Sequence, residues 1–429
     1  MSTFASPTTD ADRLHVLDVL RGIALLGMFL VHFGYVSTGG GRADQLYVTL
    51  VPLLLEERFW AMFAMLFGVG FAIQLRSADA RGESITARFL RRMAVLAVFG
   101  LIAHAVFGFN VLLAYAGWGI PLLFVRRWSV RALVIAAVMS AASYSVYTVA
   151  TTAHGVATRG GDAARAAATS RATRDREFRE ANAEAQKAPS YAPVFRARLE
   201  HMRWFYAQPF SFLPANNFTL FLLGLIALRL GIFDTPERHR RLIVSLTVFG
   251  VVSWAVATFV VPNLPAASPT EPFLRTVIRG RARYGFGLIR EMWLSFAYMG
   301  AVLLLVARNP HWFRRLGVFA WTGRMALTNY MIQIAVLDLL FSKYALGLSI
   351  TPLVGLTLGV ALFLADAWVS RWWLSRFRFG PLEWVWRSAT YARWQPLRPS
   401  PTVPADPFEP AASTPPAGSA AALPRRGAR

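Results

Sequence analysis

The sequence predicts an all-α, polytopic transmembrane bundle of about ten helices, and three observations carry that reading. The chain is 55% hydrophobic and 16% charged, with a mean hydropathy of +0.42, which is too apolar for an ordinary water-soluble domain. Apolar runs of about 20 residues, the length that crosses a bilayer as a helix, recur along it. The basic residues sit in short clusters between those runs, where topology signals lie.

The runs fall near residues 17–37, 56–75, 92–108, 111–126, 131–152, 214–232, 242–262, 288–307, 317–341 and 350–370. The third and fourth are short and separated only by Gly108-Phe109-Asn110, so they form either a hairpin or one broken helix beside a cavity. Arginine clusters follow the second run (Arg76, Arg81, Arg88, Arg91, Arg92), the fourth (Arg126, Arg127, Arg131), the sixth (Arg238, Arg240, Arg241), the eighth (Arg314, Arg315) and the tenth (Arg371, Arg376, Arg378). All lie on one side of a ten-helix arrangement. The positive-inside rule makes that side cytoplasmic, with both termini inside and the chain in the plasma (inner) membrane. One short outer loop disagrees, with Arg275, Arg279, Arg281 and Arg283 before the eighth run. It reads as an interfacial amphipathic segment or as an anion-binding rim.

Residues 1–12 read as a disordered N-terminus, 13–397 as one multi-pass membrane domain, and 398–429 as a Pro/Ala/Ser-rich disordered cytoplasmic tail. The segment before the first run lacks the features of a cleaved signal peptide. An outer hydrophilic loop, 153–212, is helix-prone in its first part and aromatic near its end (Trp204, Phe205, Tyr206, Phe210, Phe212). It is either a cap over an outer cavity or a solvated spacer. The chain has no cysteine, which excludes disulfides, thiolate catalysis and iron–sulfur clusters. Its net charge of +22 does not point to nucleic acid, because the basic residues form no single face or module. No metal-ligand cluster, phosphate-binding glycine loop or Ser-His-Asp elbow is present, so no metal is expected.

The first run, LDVLRGIALLGMFLVH, carries Asp18, Arg21 and His32. From Arg21 to His32 is eleven residues, which at about 100° per residue returns to the same helix face roughly 16 Å further along. Asp18 shares that face. Charged groups in a span usually face a bundle interior or aqueous cavity, although Asp18 and Arg21 also suit a snorkelling pair that sets helix depth. His32 is either a satisfied structural histidine or a proton-transfer group, since its ordinary pKa suits neutral pH. His104, Asn110 and Tyr115 surround the short-helix break and either orient a substrate hydroxyl or satisfy the broken backbone. In WTGRMALTNYMIQ, Arg324 sits near the cytoplasmic end, and Asn329 and Gln333 lie one turn apart, as polar ties between helices or as site groups. The aromatic and basic segment around Glu383 reads as an interfacial collar.

LDVLRGIALLG, FAMLFGVGFAIQ, the His104 to Tyr115-Ala116 region, FLLGLIALRLGIFDTPERHRRL, WTGRMALTNYMIQ and FRFGPLEWVWRSATY together resemble the YeiB-like family of bacterial membrane proteins (domain of unknown function 418), over residues 13–398. The first run separately resembles the transmembrane acyltransferase superfamily, in which an Arg followed by ten residues and a His, here Arg21 and His32, is a functional signature. That resemblance implies transfer of an acyl group, acetyl above all, from cytoplasmic acyl-CoA to a hydroxyl or amine of an envelope glycan or lipid. His32 is then the expected general base and Arg21, steadied by Asp18, the group meeting the donor. His104 and Asn329 are expected to place the acceptor or the carbonyl oxygen, and Arg324 to join Arg21 in binding CoA phosphates. The chain departs from the YeiB-like pattern at His32, where Asn is common, and at Asn110, where Asp is common. Asn110 thereby removes a carboxylate partner for His104. The alternatives are a transporter or flippase of a small or lipid-linked substrate, and a non-catalytic scaffold.

Overall fold

The computed structural model describes residues 15–35, 40–109, 111–208, 216–265, 268, 270–308, 312 and 315–399, all in helices, turns and their connections, with no strand among them. Sixteen α-helices are used below: α1 His15–Tyr35, α2 Arg42–Leu50, α3 Arg58–Ala80, α4 Thr86–Phe107, α5 Val111–Gly119, α6 Leu122–Val125, α7 Val130–Arg159, α8 Gly161–Ala185, α9 Tyr191–Ala207, α10 Asn217–Arg229, α11 Arg240–Ala255, α12 Phe273–Arg308, α13 Gly317–Arg324, α14 Ala326–Phe341, α15 Pro352–Leu374 and α16 Pro381–Tyr391. The expectations for 1–12, Asn110, Phe210, Phe212, Arg314 and nearly all of the tail fall outside the described residues.

This is the helical architecture of a membrane protein. Six segments, His15–Gly34, Arg42–Ala80, Thr86–Phe107, Val130–Arg159, Arg240–Asn263 and Pro352–Leu374, are long and apolar enough to cross a bilayer. Shorter apolar helices, Val111–Val125, Asn217–Arg229 and Met292–Arg308, fall in expected runs. The run 317–341 departs from expectation. It is not one straight span, because α13 and α14 meet at an angle of 83°. The bend is held from outside the run: Glu383 of α16 accepts the backbone N–H groups of Leu327 (2.6 Å) and Thr328 (3.0 Å) and the Thr328 hydroxyl (2.6 Å). These N–H groups lie in the first turn of α14, where a helix has no internal acceptors.

Close helix crossings depend on missing side chains. A Cβ on Gly22 would lie 1.9 Å from the Phe319 carbonyl oxygen, and one on Gly323 would lie 1.8 Å from that of Asp18, so α1 and α13 touch backbone to backbone. Gly68 and Gly224 do the same for α3 and α10. Lipid provides little hydrophobic drive between helices, so such contacts supply the packing. They also fix Arg21 and Arg324 near one another. A continuous apolar core including Leu20, Phe29, Phe33, Met62, Leu66, Phe71, Phe89, Phe221 and Ile334 fills the centre.

At the opposite end the insertion, over residues 153–208, is folded and docked. Asn182 of α8 donates to the Ala197 carbonyl of α9 at 2.7 Å, and Phe178 stacks on Trp204. Arg198, 5% exposed, reaches the bundle: its Nη2 meets Asp338 of α14 at 2.5 Å, and its Nη1 donates to the Val106 carbonyl at the end of α4. The insertion is therefore tied to the bundle through Arg198. Arg275, Arg279, Arg281 and Arg283 open α12. Arg279 pairs with the buried Glu271 at 3.0 Å, and Arg283 donates to the Leu264 and Pro265 carbonyls, so these charges serve local structure.

Candidate functional site

At the arginine-rich end a cavity of about 210 Å³ lies among α1, α3, α4, α5, α13, α14 and α16. Its wall is mostly aromatic, with Trp60, Phe63, Phe67, Phe71, Phe89, Tyr115 and Trp386. Three arginines, Arg21, Arg92 and Arg324, line it together with Glu383. Each cation is positioned differently. Arg21 makes a 2.8 Å ion pair with Asp18, itself 1% exposed, one turn back on α1. Gly70 of α3 packs beside it, where a Cβ would stand 3.8 Å from Arg21 Nη2, an ordinary contact distance. Arg92 lies 3.6 Å above the Trp386 ring, whose indole N–H donates to the Arg92 carbonyl at 2.9 Å. Arg324, at the end of α13, lies 5.5 Å over Trp321. Glu383 is engaged by the first turn of α14. Burial pushes its carboxyl above the ordinary glutamate range, while the bonds from Thr328 and Leu327 pull the other way.

Arg21 and Arg324, expected to share a donor site, are thus brought together. His32 is not part of the cavity wall. Met28, one turn earlier on α1, lines it, and His32 lies just beyond, its Nδ1 3.3 Å from Gln333 Nε2 and its ring 5.3 Å from that of Phe109. His104 lies further away, toward the opposite end. It is fully buried and its Nε2 is 3.4 Å from Nδ1 of His201, from the insertion, among the rings of Phe205 and Tyr206. Asn329 does not line the cavity either. Its amide donates to the Thr322 carbonyl (3.2 Å) and to Ser370 Oγ (2.9 Å), tying α14 to α13 and α15.

Three cavity groups escaped the reading of the sequence. From the sequence, Arg92 reads as a topology signal and Glu383 as part of a collar, and Tyr330 carries no distinct signal of charge. Tyr330 had a usable signal, since Ala326, Leu327 and Tyr330 share one face of α14 while Asn329 points elsewhere. Arg92 and Glu383 had none, because their place depends on α16 folding back on α4 and α14. Among the described residues, no group of three or more His, Cys, Asp or Glu side chains could hold a metal ion.

Comparison with known proteins agrees with the motifs. Residues 227–393 match the family described as "Protein of unknown function (DUF418)". The chain is 28% identical to "Uncharacterized protein YxaH" of Bacillus subtilis, over 91% of this chain and 97% of that protein. It is also 28% identical to "Uncharacterized 39.9 kDa protein in amylase 3'region" of Bacillus acidopullulyticus, over 90% of this chain and 96% of the relative. "Uncharacterized protein YeiB" of Escherichia coli is 35% identical over 103 residues, 24% of this chain and 27% of that protein. The YeiB-like resemblance holds, and it brings no named activity with it. No solved structure matches the chain.

Proposed function

We propose that the chain is a membrane-embedded acyltransferase that moves an acyl group, acetyl in the first instance, from cytoplasmic acyl-CoA to a hydroxyl or amine of an envelope glycan or lipid. In this reading the arginine-rich end faces the cytoplasm of a cell whose plasma membrane holds the protein. The observation that carries it is the cavity: three guanidiniums over an aromatic wall suit a phosphate-bearing ligand, and the wall stops one helical turn short of His32. Arg21, Arg92 and Arg324 take the anionic part of the donor, and Asp18 holds Arg21 in place. His32 is the general base. As placed, Gln333 Nε2 donates to His32 Nδ1; with the carboxamide turned over, its oxygen accepts from Nδ1–H and leaves Nε2 free to take a proton. His32 then takes the acceptor's proton as its oxygen or nitrogen attacks the thioester carbonyl. When the C–S bond breaks, the CoA thiolate leaves and the proton returns to it. His104 and His201 lie toward the acceptor's side. Asn329 acts at a distance by fixing the α13–α14 bend.

The test is calorimetric binding of acetyl-CoA to the full chain in detergent, followed by turnover with envelope acceptors. Wild type is expected to bind with micromolar affinity, Arg21→Ala to lose about tenfold or more, and His32→Ala to bind normally yet transfer nothing. Absence of binding to any acyl-CoA by wild type overturns the reading.

One observation favours a second reading, a transporter or flippase. The 83° break starts a half-helix beside an arginine-lined cavity, an arrangement that transporters use for anionic substrates. Movement of a labelled anion into proteoliposomes without acyl-CoA turnover would select it.

A further inference from the structure

Tyr330 plays no part in a site read from charge alone. It lines the cavity from α14, is 5% exposed, and its hydroxyl, sealed from solvent, has no hydrogen-bond partner among the described residues. Tyr115, on the same wall, contrasts with it by donating to the Trp60 carbonyl at 3.3 Å. Buried hydroxyls are almost always partnered, so an unpartnered one on a residue that lines a cavity wants an acceptor that the chain does not supply.

Its position says what kind of acceptor. Tyr330 lies about one turn, roughly 6 Å, past the start of α14 where Arg324 and Glu383 sit. Gln333, the neighbour of His32, is three residues further along the same helix. Tyr330 therefore stands between the charged end and His32, with Met28, Phe63, Phe67 and Leu96 in the surrounding wall. A second anionic group placed among such side chains would be desolvated without a cation, whereas a carbonyl oxygen costs far less and needs one donor. We infer that the cavity takes an anion that carries a neutral carbonyl a few bonds from its charge, as a phosphopantetheine does, and that Tyr330 donates to that carbonyl oxygen. This deepens the donor-site reading and rests on it for the placement of the anion.

The experiment compares wild type with Tyr330→Phe in calorimetric titrations of the full chain with inorganic pyrophosphate, 4′-phosphopantetheine and acetyl-CoA. The variant is expected to lose about tenfold in affinity for the two carbonyl-bearing ligands and nothing for pyrophosphate. Its unliganded thermal midpoint is expected to stay or rise, because the lost hydroxyl had no partner. Equal loss for all three ligands would make Tyr330 a packing residue and overturn the inference. So would unchanged binding of the carbonyl ligands, or a wild type that binds 4′-phosphopantetheine no tighter than pyrophosphate. A Tyr330-dependent affinity without any acyl transfer would instead leave the inference standing and remove the acyltransferase reading.

Discussion

At the insertion-covered end, Arg198 is enclosed by Asp338, Tyr344 and the Val106 carbonyl, and Asp338 takes a further bond from Ser342 at 2.6 Å. Burial works against its charge, but the Asp338 carboxylate and the Tyr344 hydroxyl outweigh that and raise its pKa. At the arginine-rich end, Arg92 lies over Trp386 of the cavity wall and Arg324 over Trp321, and Arg21 keeps a quarter of its side chain exposed while paired to Asp18. The cluster around Arg198 clamps the insertion onto the bundle. The other cluster lines a cavity of about 210 Å³. Buried charge alone does not mark a site; whether the chain itself encloses the charge does.

Breaking the clamp is expected to have the largest effect. Arg198→Ala strands the Asp338 carboxylate and should cost about 3–5 kcal/mol of stability, read as a lowered thermal midpoint in detergent. A spin label on Arg196→Cys, a single thiol in this cysteine-free chain, should become mobile in the same variant. Unchanged acetyl-CoA affinity would separate the two ends, and a matching loss of affinity would join them.

Gly323→Ala comes next, at about 1–3 kcal/mol or somewhat more, because its methyl group meets the Asp18 carbonyl and pushes α13 from α1. Arg21 and Arg324 move apart with the helices. Ligand affinity should fall even though no charge has been removed.

Glu383→Ala leaves the first turn of α14 without its acceptor and should cost about 1–2 kcal/mol. The pH dependence is a sharper probe. With its folded pKa raised by burial, this group contributes fully below the ordinary glutamate range, and the contribution is lost as pH rises through the folded value. The thermal midpoint should therefore climb on acidification from neutral pH, and Glu383→Gln should flatten that slope. A slope that persists in the variant assigns it to another group.

The smallest effect is expected at His201, whose pKa burial lowers. Its contribution is complete above the ordinary histidine value and is lost as pH falls through the lowered one. The label at position 196 should loosen in mild acid, and His201→Phe should abolish that response.

The sequence alone determined the class of this protein, because span length and arginine clustering are local properties of the chain and the bilayer reads them directly. It also determined the stripe of Asp18, Arg21 and His32, since helical periodicity places residues on a face without reference to any partner. The bend at Met325 is not legible in WTGRMALTNYMIQ, because the carboxylate that holds it is contributed by Glu383, more than fifty residues away. Asn329 and Tyr330 are neighbours in sequence, yet one ties helices and the other faces the cavity. Only the contact of α14 with Ser370 of α15 on one side, and the cavity that it shares with α3, α4 and α5 on the other, decided which. Periodicity fixes the angle between two side chains, but what lies in each direction is set by contacts between distant segments, and these gather three arginines around one cavity and enclose Arg198 at the other end.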